Sequence, residues 1–382
     1  MKDLRGYFDY AAATPVDVQV KNAMDPYLAE LFYNPSAGYS PSRKISAELK
    51  IARVDLARIL GSKPTEIIFT SGATEANNMA IYGVMQNHSN ANVITSAIEH
   101  ESLLKPAEKY NHKLCPVDKK GTIDLNKLQA LIDAKTTLIS IMLANNEIGT
   151  IQPIKKIAEI IKNVRADRQK KGIEMPIYLH TDAAQATNYL DLHVSRLGVD
   201  LMSINGGKIY GPKQTGVLYV KTGVILQPLI LGGGQERNLR SGTENMPGII
   251  GLIKAVQIAE KKRNTELKRL TGLQKLFIEL FQKSGLDHQI NGSLKNRLPN
   301  NLHVTFFGQD NERLMMQLDN LGFCVAVGSA CSASSDEPSH VLAAIGIAKQ
   351  DIQASLRFSM GRYTTAEDVK KLVDAVKTSI HA

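Results

Sequence analysis

Between about residues 65 and 220, short apolar runs alternate with amphipathic stretches, and few architectures accept that order. Candidate strands fall at 66–70, 92–96, 137–143, 177–181, 201–204 and 216–220. Helical periodicity fills the gaps at 75–85, 100–110, 126–134, 154–168 and 194–197. Strands joined through helices need crossover connections, so they run mostly parallel with both sheet faces covered. The expected fold class is α/β. A long charged amphipathic stretch, 249–282, then leads toward a second unit. There, 301–307, 312–320, 325–327, 339–345, 355–359 and 366–380 read as alternating strand and helix, a smaller α+β domain. The opening Tyr7-Phe8-Asp9-Tyr10-Ala11-Ala12-Ala13-Thr14-Pro15 is extended and suits packing beside either unit.

The chain of 382 residues is long enough for two cores, and its 43% hydrophobic content is that of an ordinary globular protein. No apolar run is long enough to cross a bilayer, and no apolar h-region develops before Asp9, so a cytoplasmic protein without membrane association is expected. Three cysteines, Cys115, Cys324 and Cys331, form no paired framework, which agrees with a reducing compartment. Cys324, between Phe323 and Val325, reads as a buried strand residue. The formal charge is +9, with basic clusters at 162–171 and 261–269. Both alternate with apolar and acidic residues at helical spacing, so they read as solvated helix faces, and direct nucleic-acid binding is not expected.

Chemistry collects at the strand ends. The 177–181 strand delivers His180-Thr181-Asp182-Ala183-Ala184-Gln185, and the next one runs into Asn205-Gly206-Gly207-Lys208. A strand-end carboxylate followed by a lysine in a glycine turn suits pyridoxal phosphate. The carboxylate keeps the pyridine nitrogen protonated, and the amine holds the aldehyde and moves the substrate's proton. Taken alone, such a lysine is more often a surface residue in a turn. Thr70-Ser71-Gly72-Ala73-Thr74-Glu75-Ala76-Asn77 follows a strand and opens a helix, where free N–H groups and the helix dipole favour a phosphate; an ordinary helix cap has the same residues. His100 and the Asn145-Asn146 pair sit at two more strand ends, the edge at which open α/β sheets bind ligands. A G-x-G-x-x-G turn in a tight βαβ unit is missing, which argues against a nicotinamide enzyme.

Gly328-Ser329-Ala330-Cys331-Ser332-Ala333-Ser334-Ser335-Asp336-Glu337-Pro338 places one thiol in a run of small polar residues, with little to pack. Together with YFDYAAATP, NPSAGYS, TSGATEANN, EHESLL, NNEIGTIQP, HTDAAQA, GGKIYGPK, RSGTEN and LRFSMGRYT, this segment resembles the cysteine desulfurases of the NifS/IscS-like group in the class V aminotransferase superfamily. The resemblance runs nearly the whole length.

It implies the type I fold of pyridoxal phosphate enzymes: a large domain, 15–255, with a mostly parallel sheet of the seven-stranded type, and a small α+β domain formed by 1–14 and 256–382. It also implies a homodimer with active sites near the subunit interface. Residue by residue, it makes Ala73, Thr74 and Thr243 phosphate contacts, Thr243 reaching across from the other subunit. His100 becomes the ring-stacking histidine, Asn146 and Gln185 contacts to the cofactor's oxygen, Asp182 the pyridinium partner and Lys208 the Schiff-base lysine. Arg357 grips the substrate carboxylate, Asn34 lies near the substrate, and Cys331 carries the persulfide. His100 is the candidate base for the attacking thiol, or the acid for the departing group. The implied substrate is L-cysteine, and the implied partner is an iron–sulfur scaffold or another sulfur acceptor, with Cys331 as a transient cluster ligand shared with that scaffold.

Three positions depart from the family pattern. Where the family has Ser-x-His-Lys, this chain has Asn205-Gly206-Gly207-Lys208, and Gln214 replaces a glycine after Gly-Pro-Lys. Asn205 keeps an amide donor and Gly207 lets backbone approach the phosphate, so both stay in the expected cofactor set. Selenocysteine or cysteine sulfinate chemistry, an ordinary aminotransferase and a non-catalytic assembly protein are the rival readings.

Overall fold

A computed structural model describes residues 4–328 and 338–381. Its first long helix, α1 (Ser40–Leu60), buries Ile45, Leu49, Ala52, Leu56 and Leu60, a three-to-four spacing that gives one apolar face. It stops at Gly61, whose φ of 64° is left-handed, so that its N–H reaches back to the Ala57 and Arg58 carbonyls.

Seven strands follow: β1 (Ile67–Thr70), β2 (Asn92–Ser96), β3 (Asn111–Cys115), β4 (Thr136–Ser140), β5 (Tyr178–Asp182), β6 (Leu201–Asn205) and β7 (Gly216–Val220). They form one sheet in the order β1-β7-β6-β5-β4-β2-β3. Only β7 runs against its neighbours. The α/β expectation and the mostly parallel seven-stranded sheet are thus both found. Strand alternation sorts side chains between two cores. Ile67, Phe69, Ile94, Ile139, Met202 and Val217 join the larger one, while Ile68, Val93, Leu138, Leu201 and Leu218 face the other. That second face is covered by α2 (Ala73–Met85) and α3 (Glu101–Ala107) through Ala76, Met79, Ala80 and Leu103.

The two basic clusters lie on α4 (Ile154–Lys170) and α5 (Met246–Gln282), as solvated faces of amphipathic helices. Helix α5, 37 residues long, runs toward a three-stranded antiparallel sheet, β8 (His288–Ile290), β9 (Asn301–Phe306) and β10 (Ser355–Ser359), ordered β10-β9-β8. Phe277 and Phe281 of α5 stack at 5.1 Å and meet Phe306 and Phe358 edge-on. Helix α6 (Ala366–His381) packs its buried Val369, Leu372, Val373 and Val376 into the same core.

The N-terminal segment contacts both units. Phe8 donates its N–H to Cys324 and accepts from Ser359, while Thr14 and Asp17 donate to the Gly207 and Tyr210 carbonyls. Residues 325–327, expected as a strand, make only an isolated bridge, Ala326 to Arg357. Cys324 is exposed rather than buried. Phe323 and Val325 turn inward there, and alternation sends the residue between them outward. No helix among the described residues is long and apolar enough to cross a membrane.

Candidate active site

The carboxyl ends of the parallel strands open onto one cleft of about 150 Å³. Ala73 and Thr74 reach it from the turn after β1, His100 from the turn after β2, and Asn146 from the loop after β4. Asp182 and Gln185 come from the end of β5, and Asn205 and Lys208 from the end of β6. Arg357 enters from the small sheet on β10. Nine of the residues expected from the sequence therefore line a common space.

Each side chain has a local reason for its place. Lys208 follows the single 3₁₀ turn of Gly206–Lys208, and its Nζ donates to the Ala12 carbonyl at 2.5 Å. Gly206 is required there, because a Cβ would lie 2.2 Å from Thr215 Oγ1 and 2.9 Å from the Pro212 carbonyl. Asp182 is nearly buried. Its Oδ1 accepts from the Ala184 N–H at 2.8 Å and its Oδ2 from Asn77 Nδ2 at 2.7 Å. Beneath it, His180 is held between Ser140 and Ser203, and burial pushes it down to about 3, so it is neutral. Glu99 is fully buried; burial pushes its carboxyl up to about 8, against hydrogen bonds from Ser96 and the Met142 amide and with the Asp182 charge adding to the rise.

His100 caps α3, with Nδ1 accepting the Ser102 N–H at 3.1 Å and lying 2.8 Å from Ser102 Oγ. Arg357 is almost wholly buried. It donates to Asp9 Oδ1 at 2.7 Å and to the Asn146 carbonyl at 3.1 Å, while its Nε has no partner among the described residues. Helix α2 starts at Gly72, which offers no side-chain cap, so its first-turn N–H groups are a place for an anion.

Of the remaining expected residues, Gly207 is buried outside the cleft lining, its N–H donating to Asn205 Oδ1 at 3.0 Å. Asn34 is exposed and caps its own turn through the Ser36 N–H, away from the cleft lining. Thr243 lines a separate cleft of about 220 Å³ with Ser71, Gln214 and Arg240. Gln214, where the family has glycine, adopts a left-handed φ of 57°. Cys331 lies outside the described residues. Sequence reasoning missed Asp9, Asn77 and Ser102. All three stand inside quoted motifs, but nothing in a linear pattern says which side chain they meet.

An amine, a strand-end carboxylate, an imidazole and an uncapped helix start, gathered at the edge of a mostly parallel sheet, define a pyridoxal phosphate enzyme, and this donor set fits the cofactor. The family Aminotransferase class-V matches residues 6–372, and the chain belongs to it. Cysteine desulfurase IscS of Dictyoglomus turgidum is 44% identical over 381 residues, covering 98% of this chain and 94% of that protein. A solved NifS-like protein superposes with a TM-score of 0.90 at 32% identity, covering 99% of both chains. SspA in complex with cysteine superposes at 0.80 with 34% identity, over 94% of this chain and 100% of the other.

Proposed function

We propose that the protein is a pyridoxal 5′-phosphate-dependent cysteine desulfurase. L-cysteine and the Cys331 thiol give L-alanine and a Cys331 persulfide, which balances without any outside oxidant or reductant. The observation that carries this reading is the convergence of Lys208, Asp182, His100 and Arg357 on one cleft. Similarity to proteins named cysteine desulfurase supports the choice of substrate.

When bound, the cofactor supplies an electron-accepting ring that makes the substrate's α-proton acidic and its Cβ–S bond labile. Ala73, Thr74 and the Asn205 amide would hold its phosphate, with Thr243 contributed by a second copy in a homodimer, while Gly207, its N–H taken by Asn205, would support Asn205 from outside the cleft lining. Asn146 and Gln185 would hold its oxygen, and Asp182 its ring nitrogen. Lys208 anchors the aldehyde, then takes the α-proton at Nζ and returns it. Arg357 receives the substrate carboxylate with its planar fork, and Asn34 stands near it. His100 serves the proton steps of the sulfur transfer.

The attacking group must be a thiolate. Burial pushes the Cys115 thiol up to about 12 and also raises Cys324, which disfavours a thiolate at either. Cys331, in the segment that resembles the family's sulfur loop, is the carrier. Its sulfur passes to an iron–sulfur scaffold, with tRNA thiolation as a second destination, and Cys331 is a transient cluster ligand during transfer. The sparse cysteines agree with a cytoplasmic site.

The purified protein should be yellow, and borohydride should bleach it and fix the vitamin's mass on Lys208. L-cysteine should yield alanine and, with a reductant, sulfide in equal amounts. Cys331→Ala should keep the colour and lose the sulfide. Colourless protein in saturating vitamin, or an unmodified Cys331 after exposure to cysteine, overturns the reading.

A further inference from the structure

Four side chains form one hydrogen-bonded line beneath the cleft. Asn77 is completely buried and has two amide hydrogens. One goes to Asp182 Oδ2 at 2.7 Å and the other to Ser102 Oγ at 2.9 Å. The orientation of the amide is settled by charge, since reversing it would press Oδ1 against the Asp182 carboxylate. The Ser102 hydroxyl accepts from Asn77, which leaves its single proton for His100 Nδ1, 2.8 Å away. The Ser102 backbone N–H points at the same Nδ1. Two donors therefore converge on one ring nitrogen. A proton on Nδ1 would collide with both, so the imidazole carries its proton on Nε2.

The arrangement is not one that stability alone would select. Asn77 Oδ1 is buried without a hydrogen-bond partner among the described residues. An aliphatic residue would fill that space without stranding an acceptor. The amide leaves one atom unsatisfied while both its hydrogens serve cleft residues.

We propose that Asn77 and Ser102 are positioning residues that tie Asp182 to His100 and hold His100 as the Nε2–H tautomer, so that His100 meets the sulfur transfer as an Nε2–H hydrogen-bond donor rather than as the base that deprotonates a thiol. The inference rests on the cysteine desulfurase reading for its consequence but not for its geometry. Asn77 aims Asp182 by holding one carboxylate oxygen, with the Ala184 N–H on the other. Ser102 then fixes which face of the proton inventory His100 can use. Under this arrangement His100 keeps its Nε2 proton and donates a hydrogen bond with it, because Nδ1, facing two donors, takes no proton in exchange, and the thiolate must be generated by another group or arrive already ionised.

The test is long-range nitrogen–proton NMR of the holoenzyme labelled at histidine nitrogens, with His100 assigned by loss of its signals in His100→Gln. The expected result is the Nε2–H tautomer in the parent protein. Ser102→Ala should mix the tautomers and lower kcat for alanine formation by about tenfold or more, with KM for cysteine changed much less. Ser102→Thr, which keeps the hydroxyl, should restore both. Asn77→Leu should shift the tautomer as Ser102→Ala does and also change the absorption spectrum of the bound vitamin through Asp182. An Nδ1–H tautomer in the parent protein overturns the proposal even if alanine and sulfide are produced as expected, and so does a Ser102→Ala variant with an unmixed tautomer and unchanged kcat. Failure of any variant to fold leaves the tautomer of the parent protein to decide.

Discussion

Asp9→Asn should make the protein less stable and its substrate tighter. Arg357 is buried, its side chain 2% exposed, and Asp9 is its ionic partner at 2.7 Å, 18% exposed. Removing one member of a buried pair outright costs about 3–5 kcal/mol. Asparagine keeps an oxygen that can accept the same bond, and the site is not fully dry, so the expected loss is about 1.5–3 kcal/mol. Binding moves the other way. A substrate carboxylate arriving at Arg357 meets the Asp9 charge, and two unit charges ~5 Å apart at an effective dielectric near 20 repel by about 3 kcal/mol before screening. With Asp9 neutral, the Kd for L-alanine, the non-reacting product, should fall roughly tenfold or more. Urea unfolding measures the first quantity, and titration of the bound vitamin's absorption with L-alanine measures the second. If alanine binds more weakly to the variant, Asp9 orients the guanidinium instead of competing with the ligand, and the reasoning is refuted.

Glu236→Ala should lower unfolding free energy by about 3 kcal/mol in urea, because Glu236 holds both ends of the Arg53 fork and the Phe69 N–H on the free edge of β1; a loss below about 1 kcal/mol would mean that the edge is held elsewhere. His180 and His303 are both pushed down to about 3, chiefly by burial, with the Arg297 and Arg357 charges adding at His303. Their folded values lie below the unfolded value of about 6.5, so stability is intact above that pH and falls by about 1.4 kcal/mol per unit for each histidine as pH drops toward 3. His303→Asn should remove about half of that slope in pH-resolved unfolding curves. Neighbouring glycines should behave oppositely. Gly206→Ala meets Thr215 Oγ1 at 2.2 Å and should destabilise, whereas Gly207→Ala has nothing nearer than 3.5 Å and should be neutral or gain up to about 1 kcal/mol; equal thermal shifts would contradict this.

The central strands were readable because they are buried on both faces, and each carries or adjoins a short apolar run bounded by turn residues or amphipathic stretches. β3 was not, because Asn111–Cys115 is an edge strand, half exposed, with no apolar run. Helix α1 escaped notice because charged residues and alanine dilute its buried face. At the cleft, Lys208, Asp182 and His100 were legible from their place at strand ends, while Arg357 came only through resemblance, since a lone arginine in a strand carries no local mark. Asp9 and Asn77 act through partners tens to hundreds of residues away, and no window of sequence contains both halves of such a bond; Ser102 stands two residues from His100, but only the folded turn shows its hydroxyl reaching the ring. Asn34 and Thr243 lie apart from the cleft, and one chain by itself does not bring them there.

Phe8 is made long before its partners Cys324 and Ser359, the latter 351 residues further on. Ala12, which receives the Lys208 amine, waits almost two hundred residues for it. During synthesis the sheet can fold before these contacts form, so the vitamin's pocket closes only once residue 359 has been made. A ribosome-stalled chain ending shortly before residue 355 should therefore have its large sheet in place and still lack a finished catalytic chamber.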